Sequence, residues 1–136
     1  MIKNRIVVTG GSGRFASSLK KNPGKYKMFF PNKHQLNIES FSSIKKYLTK
    51  NKPFCLMHLA GLSRPMSLHD KDISKSINLN IIGSANIVKA CKDLNIKIIY
   101  FSTSYVYPGK KGSYKEDHGL LPVNNYAWSK LGGECA

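Results

Sequence analysis

Ile6-Val7-Val8-Thr9-Gly10-Gly11-Ser12-Gly13-Arg14-Phe15-Ala16 is the stretch that decides how the rest of the chain is read. A short continuous apolar run suits a strand buried on both faces, and this one ends in small residues. Gly10, Gly13 and Ala16 occupy three small positions whose spacing has a geometric purpose. The first permits a tight turn, the second lets backbone N–H groups approach a pyrophosphate, and the third lets the next helix pack on the strand. The start of that helix offers unpaired N–H donors and a positive dipole end to an anion. The stretch predicts a dinucleotide-binding turn, with Gly10, Gly13, Arg14 and Phe15 as cofactor contacts. Small residues also fill ordinary turns, so the weight comes from context, a strand before and a helix after.

Working outward, the chain alternates strand and helix, as a parallel doubly wound sheet requires. A helix is predicted over Arg14–Lys21, stopped by Asn22-Pro23-Gly24. Tyr26–Phe30 reads as a second strand, and Ser40 caps a helix to about Lys50 with Phe41, Ile44 and Leu48 at helical spacing. Phe54–Leu59 is the next strand. One long helix is predicted from Asp72 to Leu94, its stripe formed by Ile73, Ile77, Ile81, Val88 and Cys91. Lys97–Phe101 is a further strand, residues 108–122 a Gly- and Pro-containing loop, and a last helix starts near Asn124. The fold class is α/β, a Rossmann-like doubly wound parallel sheet, with residues 1–136 forming one domain.

Composition bounds the function. No apolar run approaches the ~20 residues of a membrane-spanning helix, and no signal-peptide cleavage site precedes the first strand. A cytoplasmic protein without membrane attachment is expected. The three cysteines form no CxxC pair, which suits a reducing compartment, and the four histidines show no metal-ligand spacing. No metal is expected. The formal charge of +15 would suit a phosphate-rich ligand, yet lysines dominate it and spread along the whole chain. Arginine is the residue that forks phosphates and bases, and no nucleic-acid fold signature appears. No nucleic-acid partner is expected.

Carbonyl reduction needs a proton donor for the forming alkoxide and a group that holds the carbonyl oxygen. A tyrosine donates near neutral pH when a cation lowers its pKa from ~10, and a lysine one helical turn on can supply that charge. Tyr126-Ala127-Trp128-Ser129-Lys130 has this spacing. Roughly one such pair is expected by chance among seven tyrosines and nineteen lysines, and Tyr107 and Lys111 form a second. Pro108 and Gly109 break that one. The strand end Phe101-Ser102-Thr103-Ser104-Tyr105-Val106-Tyr107 places hydroxyls where open α/β sheets bind ligands.

Set side by side, these segments resemble the extended short-chain dehydrogenase/reductases. Thr9-Gly10-Gly11-Ser12-Gly13-Arg14-Phe15-Ala16 resembles their Thr-Gly-x-x-Gly-x-x-Gly/Ala turn, and the 101–107 stretch their Ser-Ser/Thr-x-x-Val-Tyr segment. Met57-His58-Leu59-Ala60-Gly61 resembles the strand end beside the cofactor, and Asn80-Ile81-Ile82-Gly83-Ser84-Ala85-Asn86 the helix whose first Asn steadies the active site. The pattern from Ser102 to Gly109, with Gly112–Asp117 and Asn124–Glu134, looks most like the dTDP-4-dehydrorhamnose reductases; nucleotide-sugar 4-epimerases, dehydratases and GDP-fucose synthase share much of it.

The resemblance implies catalytic Thr103, Tyr126 and Lys130. Thr103 would bind the substrate oxygen, Tyr126 would move the proton, and Lys130 would tune Tyr126 and hold the nicotinamide ribose. Leu59, Ala60, Gly61 and Asn80 would line the cofactor, while His58 is assigned no catalysis. Leu36-Asn37-Ile38 resembles the family's short strand whose Asp contacts adenine, with Asn37 in its place. The acid that binds the adenosine ribose in NAD-specific sites is missing from Pro31-Asn32-Lys33-His34. NADP is therefore favoured over NAD, with Arg14 and Lys33 contacting its extra phosphate or else simply facing solvent.

The implied activity is NAD(P)-dependent reduction or epimerisation of a nucleotide-linked 4-keto sugar; the alternatives are a catalytically silent dinucleotide-binding module or a fragment. The family continues beyond the segment matched here. The sheet is accordingly expected to be C-terminally incomplete, and the chain a homo-oligomer or completed by a second chain.

Overall fold

The computed structural model describes residues 2–136, with side chains from residue 4 onward. Four parallel strands form one sheet: β1 (Ile2–Thr9), β2 (Lys27–Phe29), β3 (Pro53–His58) and β4 (Lys97–Tyr100), in the order β2-β1-β3-β4. The strand order reverses between β1 and β3, the chain building β2 on one side of β1 and β3, then β4, on the other. That is the switch point, where the crevice beyond the strand ends is left open for a ligand. The predicted Rossmann-like α/β class is what the structure shows.

Alternation along the strands sends side chains to two helical layers. Val7 and Leu56 face one way and meet Ile44 and Leu48 of α2 (Phe41–Asn51) and Ile87, Ala90 and Cys91 further along. Ile6, Val8 and Cys55 face the other way, toward Ala16 and Leu19 of α1 (Arg14–Lys21). Ser40 caps α2 as expected, its hydroxyl accepting from the Ser43 N–H at 3.3 Å.

The helix predicted for 72–94 is present as one unbroken helical run over 73–93, behind a short α3 (Leu68–Lys71), and passes through three consecutive segments. They are α4 (Ile73–Ser76), a π-helical stretch (Ile77–Ile82) and α5 (Gly83–Asp93). A π turn holds more residues per turn than an α turn and so rotates the buried face. Ile73, Ile77 and Ile82 are exposed, and Ser76, Asn80 and Ser84 take the inside. The expected isoleucine stripe is overturned there, because the inner positions face polar groups of the site rather than core.

Leu36-Asn37-Ile38 is not a strand. Leu36 and Ile38 are buried beneath α2 and α5, so the segment is core filling in turn conformation. Strands β2 and β4 are each shorter than predicted.

The last helix, α6 (Asn125–Glu134), is capped by Asn124, whose Oδ1 accepts from the Ala127 N–H at 2.8 Å. It packs against the π-helical stretch through glycines. A Cβ on Gly132 would meet the Ile81 side chain at 2.8 Å, and one on Gly133 the Tyr100 hydroxyl at 2.5 Å and the Asn80 carbonyl at 2.6 Å. On the open side of the molecule β4 is an edge strand with Ile99 41% exposed, and Leu121, Val123 and Trp128 are exposed as well. No helix among the described residues is long and apolar enough to cross a membrane.

Gly133→Ala is expected to cost about 1–3 kcal/mol, because the new methyl meets backbone as well as a side chain. Gly119→Ala, in open space, should change stability by about 0.5 kcal/mol or less. Urea denaturation of both variants measures the difference.

Candidate active site

The phosphate turn is built as its residues predict. The Gly13 N–H donates to the Gly10 carbonyl at 2.9 Å, and Gly10 holds φ +69°. A Cβ on Gly10 would lie 2.9 Å from the Ala60 nitrogen, so β1 and β3 approach here as only glycine allows. Gly13 is the N-cap of α1 and supplies no side-chain cap, leaving the first N–H groups of the helix directed outward. That cleft is lined by Gly10, Gly13, Arg14, Phe15, Leu59 and Arg64. Two guanidiniums and a bare helix start, with no acid in the lining, fit a diphosphate.

An adjoining cleft is lined by Gly10, Ser12, Lys33, Asn37, Ala60 and Gly61, again without an acid. Asn37 faces it, but its Oδ1 already accepts from the Glu39 N–H at 3.1 Å. Lys33, expected at a phosphate, is paired with Glu39 at 2.9 Å. Both partners are exposed, and such pairs hold weakly. Arg14 is the expected cation whose charge reaches the cleft unpaired among the described residues.

Behind the turn lies a buried polar relay with one consistent proton order. Thr9 Oγ1 accepts from the Leu59 and Ala60 N–H groups at 3.1 and 3.0 Å. Its own hydrogen then points to His58 Nδ1 at 2.8 Å. His58 Nε2–H in turn faces Ser84 Oγ at 3.1 Å, and Ser84 donates to the Asn80 carbonyl at 2.7 Å. Burial, and secondarily the charge of Lys130, pushes the His58 pKa down to about 3. His58 is thus a buried neutral histidine with both nitrogens engaged.

Asn80 links the cofactor side to α6. Its Nδ2 donates to the Leu62 carbonyl at 2.9 Å and to Ser129 Oγ at 2.8 Å, and its Oδ1 accepts from the Leu62 N–H at 2.7 Å. Gly61 has no side chain because a Cβ there would sit 2.7 Å from that Oδ1.

On α6, Tyr126 lies among Thr103, Tyr105, His69 and Arg64. Its ring is 5.0 Å from His69 and 6.4 Å, edge-on, from Tyr105. The sequence predicts a Tyr126 pKa lowered by Lys130, and the structure shows the opposite direction. Burial raises it, the Thr103 hydroxyl lowers it, Tyr105 raises it and Arg64 lowers it. The Lys130 ammonium is turned elsewhere, 4.1 Å over the ring of Tyr100. Burial depresses the Lys130 pKa to about 8, with Glu134 partly opposing. Thr103 and Tyr126 are thus brought together, and Lys130 stands one turn away with its charge on another ring. Tyr107 and Lys111, the chance pair, are apart in function. Tyr107 stacks on Tyr114 at 4.9 Å and bonds the Lys115 carbonyl within its own loop.

A family model described as the RmlD substrate binding domain matches residues 4–136. The chain belongs to that family. It is 28% identical to dTDP-4-dehydrorhamnose reductase from Bacillus anthracis, solved in complex with NADP, with a TM-score of 0.91. That alignment covers 99% of this chain and 49% of the reductase. A second structure, RMD from Pseudomonas aeruginosa complexed with NADPH, is 25% identical with a TM-score of 0.80, covering 98% and 48% of the two chains. Among curated relatives, methionine adenosyltransferase 2 subunit beta from Xenopus tropicalis is 28% identical over 97% of this chain. The dTDP-4-keto-6-deoxy-D-glucose reductase of Streptomyces niveus is 26% identical over 76% of it. The chain spans 42% and 36% of these two relatives.

Two residues of the site escape sequence reasoning. Arg64 follows β3 in the loop at the switch point, and its topological position was the available signal. His69 is 1% exposed, with Nδ1 2.7 Å from Ser76 Oγ and no partner for Nε2 among the described residues. Nothing in its sequence setting marks it.

Holding the Lys130 charge in the interior should oppose folding. A pKa of about 8, against 10.5 when unfolded, corresponds to about 3 kcal/mol, which the Tyr100 ring offsets by about 1 kcal/mol. The cost is complete below pH 8, where both states are protonated. It disappears as pH rises from 8 toward 10.5, since only the unfolded chain keeps the proton there. Lys130→Met should therefore stabilise the fold by about 2 kcal/mol at pH 7, with the gain shrinking by pH 10. A methionine variant that melts more easily than the parent at pH 7 would contradict this.

Proposed function

We propose that this chain is the NADP-binding unit of a reductase that acts on the 4-keto group of a nucleotide-linked sugar. The observation that carries the reading is the carboxyl end of the sheet, where the glycine turn, two arginines without acids, and the Thr103–Tyr126 pair lie together. Gly10, Gly13, Arg14, Phe15, Leu59, Ala60 and Gly61 would hold the cofactor, with Asn37 at the adenine end and Lys33 free to leave Glu39 for a phosphate. Asn80 would keep the loop after β3 in register with α6. The bound nicotinamide supplies or accepts a hydride.

Thr103 holds the substrate oxygen by its hydroxyl, and Tyr126 gives that oxygen its proton. A tyrosine whose pKa is raised by burial carries its proton at neutral pH, the state from which an acid delivers one. Lys130, its ammonium seated over the Tyr100 ring, would hold the nicotinamide ribose. The sugar class rests on the likeness to the two dehydro-sugar reductases, and the preference for NADP on the acid-free clefts. The exposed apolar surface around Ile99 and Trp128 fits burial by further polypeptide or a second copy of the chain.

Likeness to methionine adenosyltransferase 2 subunit beta favours a second reading, a non-catalytic subunit that binds the same cofactor. Calorimetric titration with NADPH and NADH, with Gly13→Trp as control, tests what the two readings share. Tighter binding of NADPH, abolished by the substitution, is expected; a folded chain that binds neither would sink both. Turnover separates them. Tyr126→Phe should lower reduction of a dTDP-linked 4-keto-6-deoxy sugar by about 10²–10⁴-fold with NADPH affinity unchanged, whereas binding without any turnover would favour the subunit.

A further inference from the structure

Among the described residues, Lys130 is the one lysine that the fold takes inside, at 9% exposure. Among the described residues no carboxylate closes an ion pair with it. A buried ammonium needs compensation from some fixed partner, and the structure offers an aromatic face. Lys130 Nζ stands 4.1 Å from the centroid of the Tyr100 ring, well inside the range where a ring quadrupole attracts a cation. Tyr100 is itself held at its other end. Its hydroxyl donates to the backbone carbonyl of Lys130 at 3.0 Å, so one side chain grips both the head group and the main chain of the same residue. Gly133 makes the grip possible, because a Cβ there would lie 2.5 Å from the Tyr100 hydroxyl.

We infer that Tyr100 is a positioning residue for Lys130: its ring seats the ammonium, and its hydroxyl fixes the helical turn that presents it to the cofactor site. The inference rests on the proposed reading of Lys130 as a cofactor-holding lysine. The other titratable groups around this ammonium are His58 on β3 and Tyr126 and Glu134 on α6. His58 is neutral at ordinary pH, and Tyr100, its own pKa pushed up to about 12 by burial, remains a phenol. Glu134 is thus the opposing charge, and it acts without an ion-pair contact. The π face is then the near partner of the cation and helps to keep its proton in the interior. In sequence, Tyr100 is simply the last residue of a strand, and nothing but the fold brings it beneath a lysine thirty positions on.

Ring electron density can be changed without changing ring shape. In the full chain, Tyr100→Phe and phenylalanines of increasing fluorination at position 100 are compared, with ¹³C-lysine NMR following the titration of Lys130. Its signal is assigned by its loss in Lys130→Met. The Phe variant should leave the Lys130 pKa within about half a unit, and full fluorination should raise its acid dissociation constant roughly tenfold. NADPH affinity should weaken in the same order. A Lys130 pKa that is flat across the series would overturn the seat, and a falling pKa with unchanged NADPH affinity would overturn the positioning role. NADPH that binds no member of the series, parent included, would count against the cofactor reading while the titration still judged the seat. Tyr100→Leu, checked for folding by circular dichroism, gives the same comparison by a coarser route; should it unfold, the fluorinated series decides alone.

Discussion

The hydroxyl of Thr9 binds the carboxyl ends of β1 and β3 together, and most of the site is organised around that junction. It collects two amide hydrogens from the chain that leaves β3 and passes its own to His58, whose far nitrogen reaches Ser84. Each group in this column is satisfied, which is the condition for polar atoms to be stable in an interior. The junction also explains the glycine that follows. Two backbones this close leave no room for a Cβ at Gly10, so the turn that cradles phosphate and the turn that fits the neighbouring strand are the same turn.

From there the order passes to α6 through the π-helical stretch. An α-helix repeats its inner face every 3.6 residues; the wider π turn puts Asn80 where one side chain holds Leu62 and Ser129 together. The inner line of this segment is accordingly hydroxyl and amide near the site, Ser76, Asn80 and Ser84, and aliphatic only beyond it, at Ile87 and Ala90. Core packing and site construction divide one helical segment between them.

The sequence was most legible where local chemistry and tertiary role coincide. Ser40 and Asn124 are caps by their own hydrogen bonding, and the apolar runs of β1 and β3 need no partner to be recognised as strands. Legibility failed where distant contacts decide. Isoleucines at 73 and 77 carry the period of a buried stripe, yet the π turn rotates them outward. Leu36 and Ile38 have strand-like alternation but find their burial in a turn. At the site, spacing alone put Lys130 beside Tyr126, whereas the ring of Tyr100, brought in from another strand, claims the ammonium. Arg64 and His69 enter for the same reason, through a loop whose path no residue pattern encodes.

The strand order has a consequence for how such a chain comes into being. β1, the first of the four strands in the chain, lies inside the sheet with β2 and β3 on either side, and both flanking strands precede residue 59. A nascent chain therefore finishes its central three-strand ribbon and both covering layers from α1 and α2 before β4 is synthesised. β4 is the last of the strands to be synthesised, and it forms the edge where the exposed isoleucine lies. The residues of the phosphate-binding turn are thus synthesised well before the helix that carries Tyr126 and Lys130.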